Sequence, residues 1–327
     1  MRRVQFQAIQ KGLLIIYVDL FGLSSTDDIA ARIAKSIYDM LHKQKTILQK
    51  TVKMFQSFRP VMRPTQDGVS MSVEVIPHNI SGIDLLDKTM EDLGTFISTS
   101  KASVNIVLDE FQEITELKDS RIEGILRKHI QEHQASYFFV GSRRRLLLDM
   151  FTSRKRPFYQ SAFLYKLNPL PEDELKQFLK INFEKAGKTC PDKVATAIIQ
   201  EIHNHPYYAQ KLAFTACQIS ETKKLDTKTI REAFQHMLTG ESPVFESIVQ
   251  SLSPQQIALL KAIAKEPSPS VLAMAYMKKH HLKSVGGIQA GLKKLSQMDL
   301  IEKEEDKVWR MVDPVFGTWL KRFSAFG

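Results

Sequence analysis

The sequence predicts an α/β fold with a parallel sheet in its first half, followed by a helical segment and a winged helix-turn-helix. Three observations carry this. Short, largely apolar runs recur at residues 104–108, 137–140 and 162–167, and end in Asp109-Glu110, Gly141-Ser142 and Asn168-Pro169. Strands buried on both faces and separated by helices belong to parallel sheets. Beyond Pro171 only helical periodicity remains until about Leu252. From there the order is helix, helix, helix and a short hairpin around Asp306, the order of a winged helix.

The elements follow in order. Residues 13–19 form an apolar run closed by Asp19. Arg2 and Arg3 ahead of it imitate a signal peptide, but Asp19 stops the run early and no small-residue cleavage pattern follows. A strand is therefore expected. Ser24 to Asp28 supply helix-start chemistry, and Ile29, Ile33, Ile37 and Leu41 recur at four-residue spacing, so an amphipathic helix follows. The basic stretch up to Arg63, punctuated by Pro60 and Pro64, is expected to be helix end and loop. Residues 69–76 alternate like a half-exposed strand or an inserted hairpin, and 85–98 form a second amphipathic helix.

Four helices are expected over 172–186, 192–203, 206–220 and 227–239. In the winged helix, Ile257, Leu260, Ile263 and Ala264 make a first core face. Residues 284–298 would be the recognition helix, with Lys283, Lys293 and Lys294 outward, and strands at 300–303 and 308–311 would form the wing. The expected divisions are 1–170, 171–241 and 242–327.

Composition narrows the classes. At 43% hydrophobic and 25% charged residues, 327 residues are enough for a real core, which excludes a disordered chain. The formal charge of +10 favours an anionic partner without choosing among nucleotide, nucleic acid and membrane surface. No apolar stretch approaches the ~20 residues that span a bilayer. The two cysteines, Cys190 and Cys217, have neither C-x-x-C spacing nor a metal-type cluster beside them. That fits a reducing, cytoplasmic setting.

The strongest chemical signal is the run from Val104 to Leu108 that ends in Asp109 and Glu110. Two adjacent carboxylates at the carboxyl end of a buried parallel strand sit where open α/β sheets bind ligands. This is the Walker B arrangement, in which the first acid holds Mg2+ and the second polarises the attacking water. A plain solvated loop start is the alternative reading of the same residues. Arg143, Arg144 and Arg145 cluster after Ser142, and an arginine fork there can stabilise phosphoryl charge or simply form a basic turn.

These residues also carry a resemblance. Asp109-Glu110-Phe111-Gln112-Glu113 resembles the D-E-F-Q-E Walker B of archaeal-type ATPases in the STAND branch of the AAA+ proteins. Tyr17-Val18-Asp19-Leu20 resembles that family's second strand, and Gly141-Ser142-Arg143-Arg144-Arg145-Leu146 its G-S-x-R-x-L segment. Met150-Phe151 and Arg156-Pro157-Phe158-Tyr159 resemble the region that follows, and His205-Pro206-Tyr207-Tyr208 the lid motif G-H-P-Y-Y. The resemblance implies a P-loop NTPase-like core, a helical lid and a C-terminal winged helix, with ATP and Mg2+ as cofactors. It implies Asp109 as the metal partner, Glu110 as the base, Ser142 as the sensor, Arg143 or Arg144 on phosphate, and His205, Pro206 and Tyr207 on the nucleotide. Asn204 stands where glycine is usual, and asparagine tolerates the left-handed conformation such a turn needs.

One motif departs from the family. No G-x-x-x-x-G-K-S/T precedes Leu13, so the backbone cradle for phosphates is not in this sequence. Gly187-Lys188-Thr189 is the chain's one G-K-T, but residue 182 is Asn and a helical pattern precedes it, so an ordinary helix-ending loop is expected. In the family the missing motif follows a central strand. Residues 2–12 would then be the tail of the helix after it, with two strands each lacking one neighbour. A start placed too late, or a natural fragment, is expected.

Two functions stay open. One is a nucleotide switch in which ATP hydrolysis repositions lid and winged helix. The other is a non-hydrolysing winged-helix adaptor, for DNA or for protein, on an NTPase scaffold. The recognition helix carries two glycines and few long polar side chains, and the wing is acidic at Glu302, Glu304, Glu305 and Asp306. Protein docking or regulation is therefore expected over direct DNA binding. The oligomeric state is not readable from the sequence.

Overall fold

The computed structural model describes residues 2–43, 57–65, 68–75, 80–100, 102–165, 167, 169–304 and 306–323. They fall into two compact units that meet in sequence at Leu164 and Tyr165.

The first unit is built on a three-stranded parallel sheet. Helix α1 (Arg2–Gln10) leads through Gly12, whose φ of +77° suits glycine, into β1 (Leu14–Asp19). Helix α2 (Thr26–Lys43) follows, then a hairpin of β2 (Phe58–Thr65) and β3 (Gly68–Val75). Helix α3 (Gly82–Thr99) starts at Ser81, whose side chain caps Asp84 N. Strand β4 (Val104–Asp109) runs into a 3-10 helix (Phe111–Leu117), α4 (Ser120–Glu132), β5 (Ser136–Phe139) and α5 (Arg144–Thr152).

The strand order is β1-β4-β5. Leu14 pairs with Val104 through to Asp19 with Asp109, and Asn105 pairs with Ser136 through to Leu108 with Phe139. Helix α2 packs on α3 and α3 on α4, closing a core around Ile16, Val18, Ile33, Leu93, Ile106 and Leu108.

Two expectations in this unit are corrected. Residues 58–65 are a strand, not a loop, despite Pro60 and Pro64. Among the described residues β2 has β3 as its single neighbour, and an edge strand can turn a proline's missing N–H outward. The described residues of the apolar run at 162–167 do not form the expected strand, and Phe163 and Leu164 are exposed. An extended segment needs a ladder partner for its N–H and C=O groups, and no described strand lies along it.

The second unit is helical up to its terminal wing. It comprises α6 (Glu172–Lys185), α7 (Asp192–Ile202), α8 (Pro206–Ile219) and α9 (Thr227–Gln250). Then come α10 (Pro254–Lys265), α11 (Met274–Lys279), α12 (Val285–Gln297), β6 (Ile301–Lys303), β7 (Trp309–Met311) and α13 (Pro314–Phe323). A capping box of Ser253 and Gln256 starts α10, and Ser284 caps α12.

Helix α9 runs past the expected end at Thr239, through Gly240 and Pro243. Burial of Leu238, Glu241 and Phe245 continues its inward face, and tertiary packing outweighs the local penalty of these two residues. The expected division at 241/242 therefore falls inside a helix. One hydrophobic core extends from Leu175 to Leu320 across both parts.

Candidate functional site

The carboxylates at the ends of β1 and β4 are placed by register. Val104, Ile106, Val107 and Leu108 are buried, so β4 is fixed in the sheet and delivers a half-exposed Asp109 beside Asp19. The Tyr17 hydroxyl donates to Asp109 Oδ2. Asp109 Oδ1 accepts the Glu110 N–H at 3.1 Å. Arg32 fixes the loop after β1: its guanidinium donates to Asp19 O at 2.9 Å and Phe21 O at 2.8 Å while pairing with Asp28.

The chain turns sharply at Glu110, which is left-handed with φ 53° and ψ 41°. A non-glycine residue there is held by its surroundings. Phe111 N donates to Val140 O at 2.9 Å, tying the turn to the end of β5. The fully buried Phe111 ring lies 4.7 Å from Phe139 and 5.4 Å from Phe158, with Phe151 completing the group. Phe151 and Phe158 thus support the turn from behind. Arg156 anchors this segment through Glu123 at 2.7 Å.

The Glu110 carboxylate is oriented on one side. Its Oε2 accepts Gln112 Nε2 at 2.5 Å, Ser142 Oγ at 2.8 Å and Ser142 N at 3.3 Å. Burial works to raise its pKa, but the hydrogen bonds from Gln112 and Ser142 prevail and hold it below the ordinary glutamate value. With one oxygen saturated, Oε1 is the oxygen left to orient a water. Gln112 is fully buried. Its Oε1 occupies the space of a side chain at residue 141, where a Cβ would lie 2.0 Å from that oxygen. A side chain at residue 141 would have to displace the end of the buried Gln112 side chain.

The expected site residues separate. Ser142 meets Glu110. Arg143 turns to Glu116 at 2.7 Å and Glu113 at 4.0 Å, so its charge is engaged locally. Arg144 opens α5 and is exposed, as is Arg145. Gln112, Tyr17 and Arg32 were missed from the sequence. Gln112 lay inside the motif, whereas the contacts of Tyr17 and Arg32 have no periodic signature.

In the second unit, His203 and Asn204 are both left-handed, with φ +50° and +59°. Asparagine therefore fills the turn, and its Nδ2 donates to Leu170 O at 3.1 Å. His205 precedes α8, Pro206 occupies its first turn, and Pro206 and Tyr207 are exposed. The Gly187-Lys188-Thr189 loop is structural: Lys188 Nζ donates to Ser220 O at 2.7 Å and Thr222 O at 2.9 Å. Gly187 has φ +72°, and Lys188 caps the end of α8.

The donor set bears on metals. Asp109 and Asp19 offer hard oxygens, the kind Mg2+ takes when phosphate and water fill its remaining positions. Among the described residues, no group of three His, Cys, Asp or Glu side chains could hold an ion alone. No described helix is long and apolar enough to cross a membrane. Both cysteines are free thiols.

In the winged helix, Ile288, Gly291, Leu292 and Leu295 face inward on α12, while Val285, Gly286, Gln289, Ala290, Lys293 and Lys294 are exposed. Arg310 on β7 is held by Glu304 at 2.7 Å and by Asp306 at 2.9 and 2.7 Å. The Arg310 guanidinium draws the Asp306 carboxyl down to about 2.

A family model described as a probable winged helix domain matches residues 243–322. A search of curated proteins finds no match. Among solved structures, a Walker-type ATPase of Pyrococcus abyssi is similar at 16% identity and a TM-score of 0.62, covering 98% of this chain and 87% of that one. The ORC2 protein of Aeropyrum pernix is similar in its ADP form at 14% identity, a TM-score of 0.51 and coverage of 98% and 82%. In its ADPNP–ADP complexes the values are 15%, 0.50, 99% and 83%. The chain thus has the α/β fold of the AAA+ ATPases, and its residues 243–322 form a winged helix domain.

Proposed function

We propose that this chain carries the catalytic carboxylates, lid and winged helix of an ATP-dependent switch of the STAND class. The observation that carries this reading is the Glu110 carboxylate at the end of β4, held by Ser142 and Gln112 beside Asp109. An ionised carboxylate with one saturated and one open oxygen suits the polarising of water. Asp109 would hold Mg2+, Ser142 would sense the terminal phosphate, and Arg144 would meet phosphoryl charge. Arg143 would keep such a role only by leaving Glu116. His205, Pro206 and Tyr207 would contact the nucleotide. Bound Mg-ATP would supply the phosphoanhydride that water cleaves. The phosphate cradle is not among these residues, and Lys188 does not replace it.

The test is Mg2+-dependent nucleotide binding by the longest reading frame that carries this chain. Asp109→Ala should weaken binding in Mg2+ and leave Mg2+-free binding unchanged. Equal binding by both forms in Mg2+ would remove Asp109 from the site.

The winged helix supports a second element of the reading, a macromolecular partner. We assign it to protein rather than DNA. The wing's Arg310 is neutralised by two carboxylates, and the exposed face of α12 begins with Val285 and Gly286 instead of long donors.

A further inference from the structure

We infer that Tyr208 and Asp313 form a latch fixing the last helix of the winged helix to the first turn of α8, so that movement of that turn is passed to the winged helix. Tyr208 is buried, and its hydroxyl donates to Asp313 Oδ2 at 2.5 Å. The other oxygen of the same carboxylate accepts Val315 N at 2.8 Å and Phe316 N at 2.9 Å. One side chain therefore starts α13 and holds α8 at once. A hydrogen bond to a carboxylate in a buried setting is among the stronger kinds, and a buried hydroxyl without it would be costly.

Neighbouring contacts make the junction three-sided. Tyr207 donates to Glu241 Oε1 at 3.2 Å, and Lys211 pairs with the same carboxylate. One residue further along α9, Ser242 Oγ accepts Trp319 Nε1 at 2.8 Å, so α13 is also tied to α9. Phe245 stacks on Phe316 at 4.9 Å. The His205 ring lies 4.9 Å from the Tyr208 ring. A group that displaces His205 or Pro206 thus acts on the latch's own ring. The inference borrows from the proposed function only the identity of that group, a nucleotide; the latch stands without it.

Hydrogen exchange on the full chain, without nucleotide, tests it. Tyr208→Phe removes only the hydroxyl, and Asp313→Ser keeps an oxygen for capping α13 while leaving no second polar atom to reach Tyr208. Each should raise exchange of the amides of residues 315–323 by about tenfold, leaving those of 193–202 unchanged. The double variant should show no more than either single one, because both remove the same bond. Unchanged exchange in 315–323, or two effects that multiply, would overturn the latch. Should Tyr208→Phe fail to fold, Asp313→Ser alone decides by the same comparison of the two segments. Loss of nucleotide binding elsewhere leaves this readout untouched, so the two failures are distinguishable.

Discussion

The Ser142 hydroxyl donates to Oε2 of Glu110 at 2.8 Å, joining the loop after β5 to the end of β4. With Gln112 on the same oxygen, it fixes the direction of the carboxylate and favours its ionised form.

This gives a pH signature. Glu110's folded pKa lies below its ordinary value of 4.5, so its contribution to stability is present above that value and lost as pH falls through the folded pKa. Ser142→Ala should cost about 0.5–1 kcal/mol at neutral pH, the lower part of the hydrogen-bond range because the site is partly solvated. Denaturant unfolding should show the gap between the two proteins closing on acidification below the ordinary carboxylate range. A gap that persists unchanged in acid would contradict the pairing.

A second expectation concerns Gly141 and Gln112. Gly141→Ala places a methyl carbon 2.0 Å from Gln112 Oε1 and should destabilise by about 1–3 kcal/mol, as overpacking does. Adding Gln112→Ala should recover part of that loss, since the smaller side chain vacates the space. The check is a double-mutant cycle by thermal unfolding; additive costs would mean the two side chains do not compete.

The winged helix yields a third. If it bound DNA, Lys283, Lys293 and Lys294 would supply phosphate contacts and affinity would fall steeply with salt. Weak duplex binding at physiological salt, unchanged in the triple Lys→Glu variant, is expected. Trp309→Ala should disturb the domain, because the Trp309 ring packs against the core and Lys303 lies over it. Fluorescence anisotropy with the whole chain is the assay. Tight, salt-steep binding abolished by the triple variant would replace protein with DNA as the partner.

Much of this was readable in the residues. The runs at 13–19, 104–108 and 137–140 gave three strands because each is short and almost wholly apolar, although of the three strands only β4 is buried on both faces. The acid pair was found because it ends such a run. The wing strands were found through their turn at Asp306, and Asn204 was correctly expected to be left-handed. The run at 162–167 looked the same as the true strands, since periodicity cannot report whether a ladder partner exists. Helix α9 was cut short because Gly240 and Pro243 are local stop signals that its buried face overrides. Gln112, Tyr17 and Arg143 needed geometry: their partners are set by which strand ends meet, which no spacing in the chain encodes. Among these, Arg143 pairs with Glu116.

This chain alone should bind Mg-ATP weakly and hydrolyse it at background. Neither Lys188, committed to Ser220 and Thr222, nor any G-x-x-x-x-G-K-S/T supplies a phosphate cradle. Equilibrium binding and phosphate release by the purified chain check this. Robust turnover abolished by Glu110→Gln would place a cradle among these residues after all.

The proposed role of Glu110 is to polarise the attacking water. Its most direct measurement compares ATP binding and phosphate release for Glu110→Gln against the parent, in the longest reading frame that carries this chain. The substitution keeps the shape and removes the charge. Nucleotide binding should be retained, with hydrolysis reduced by about two orders of magnitude or more, about 2.7 kcal/mol or more in barrier. Hydrolysis at the parent's rate by the Gln variant would contradict it.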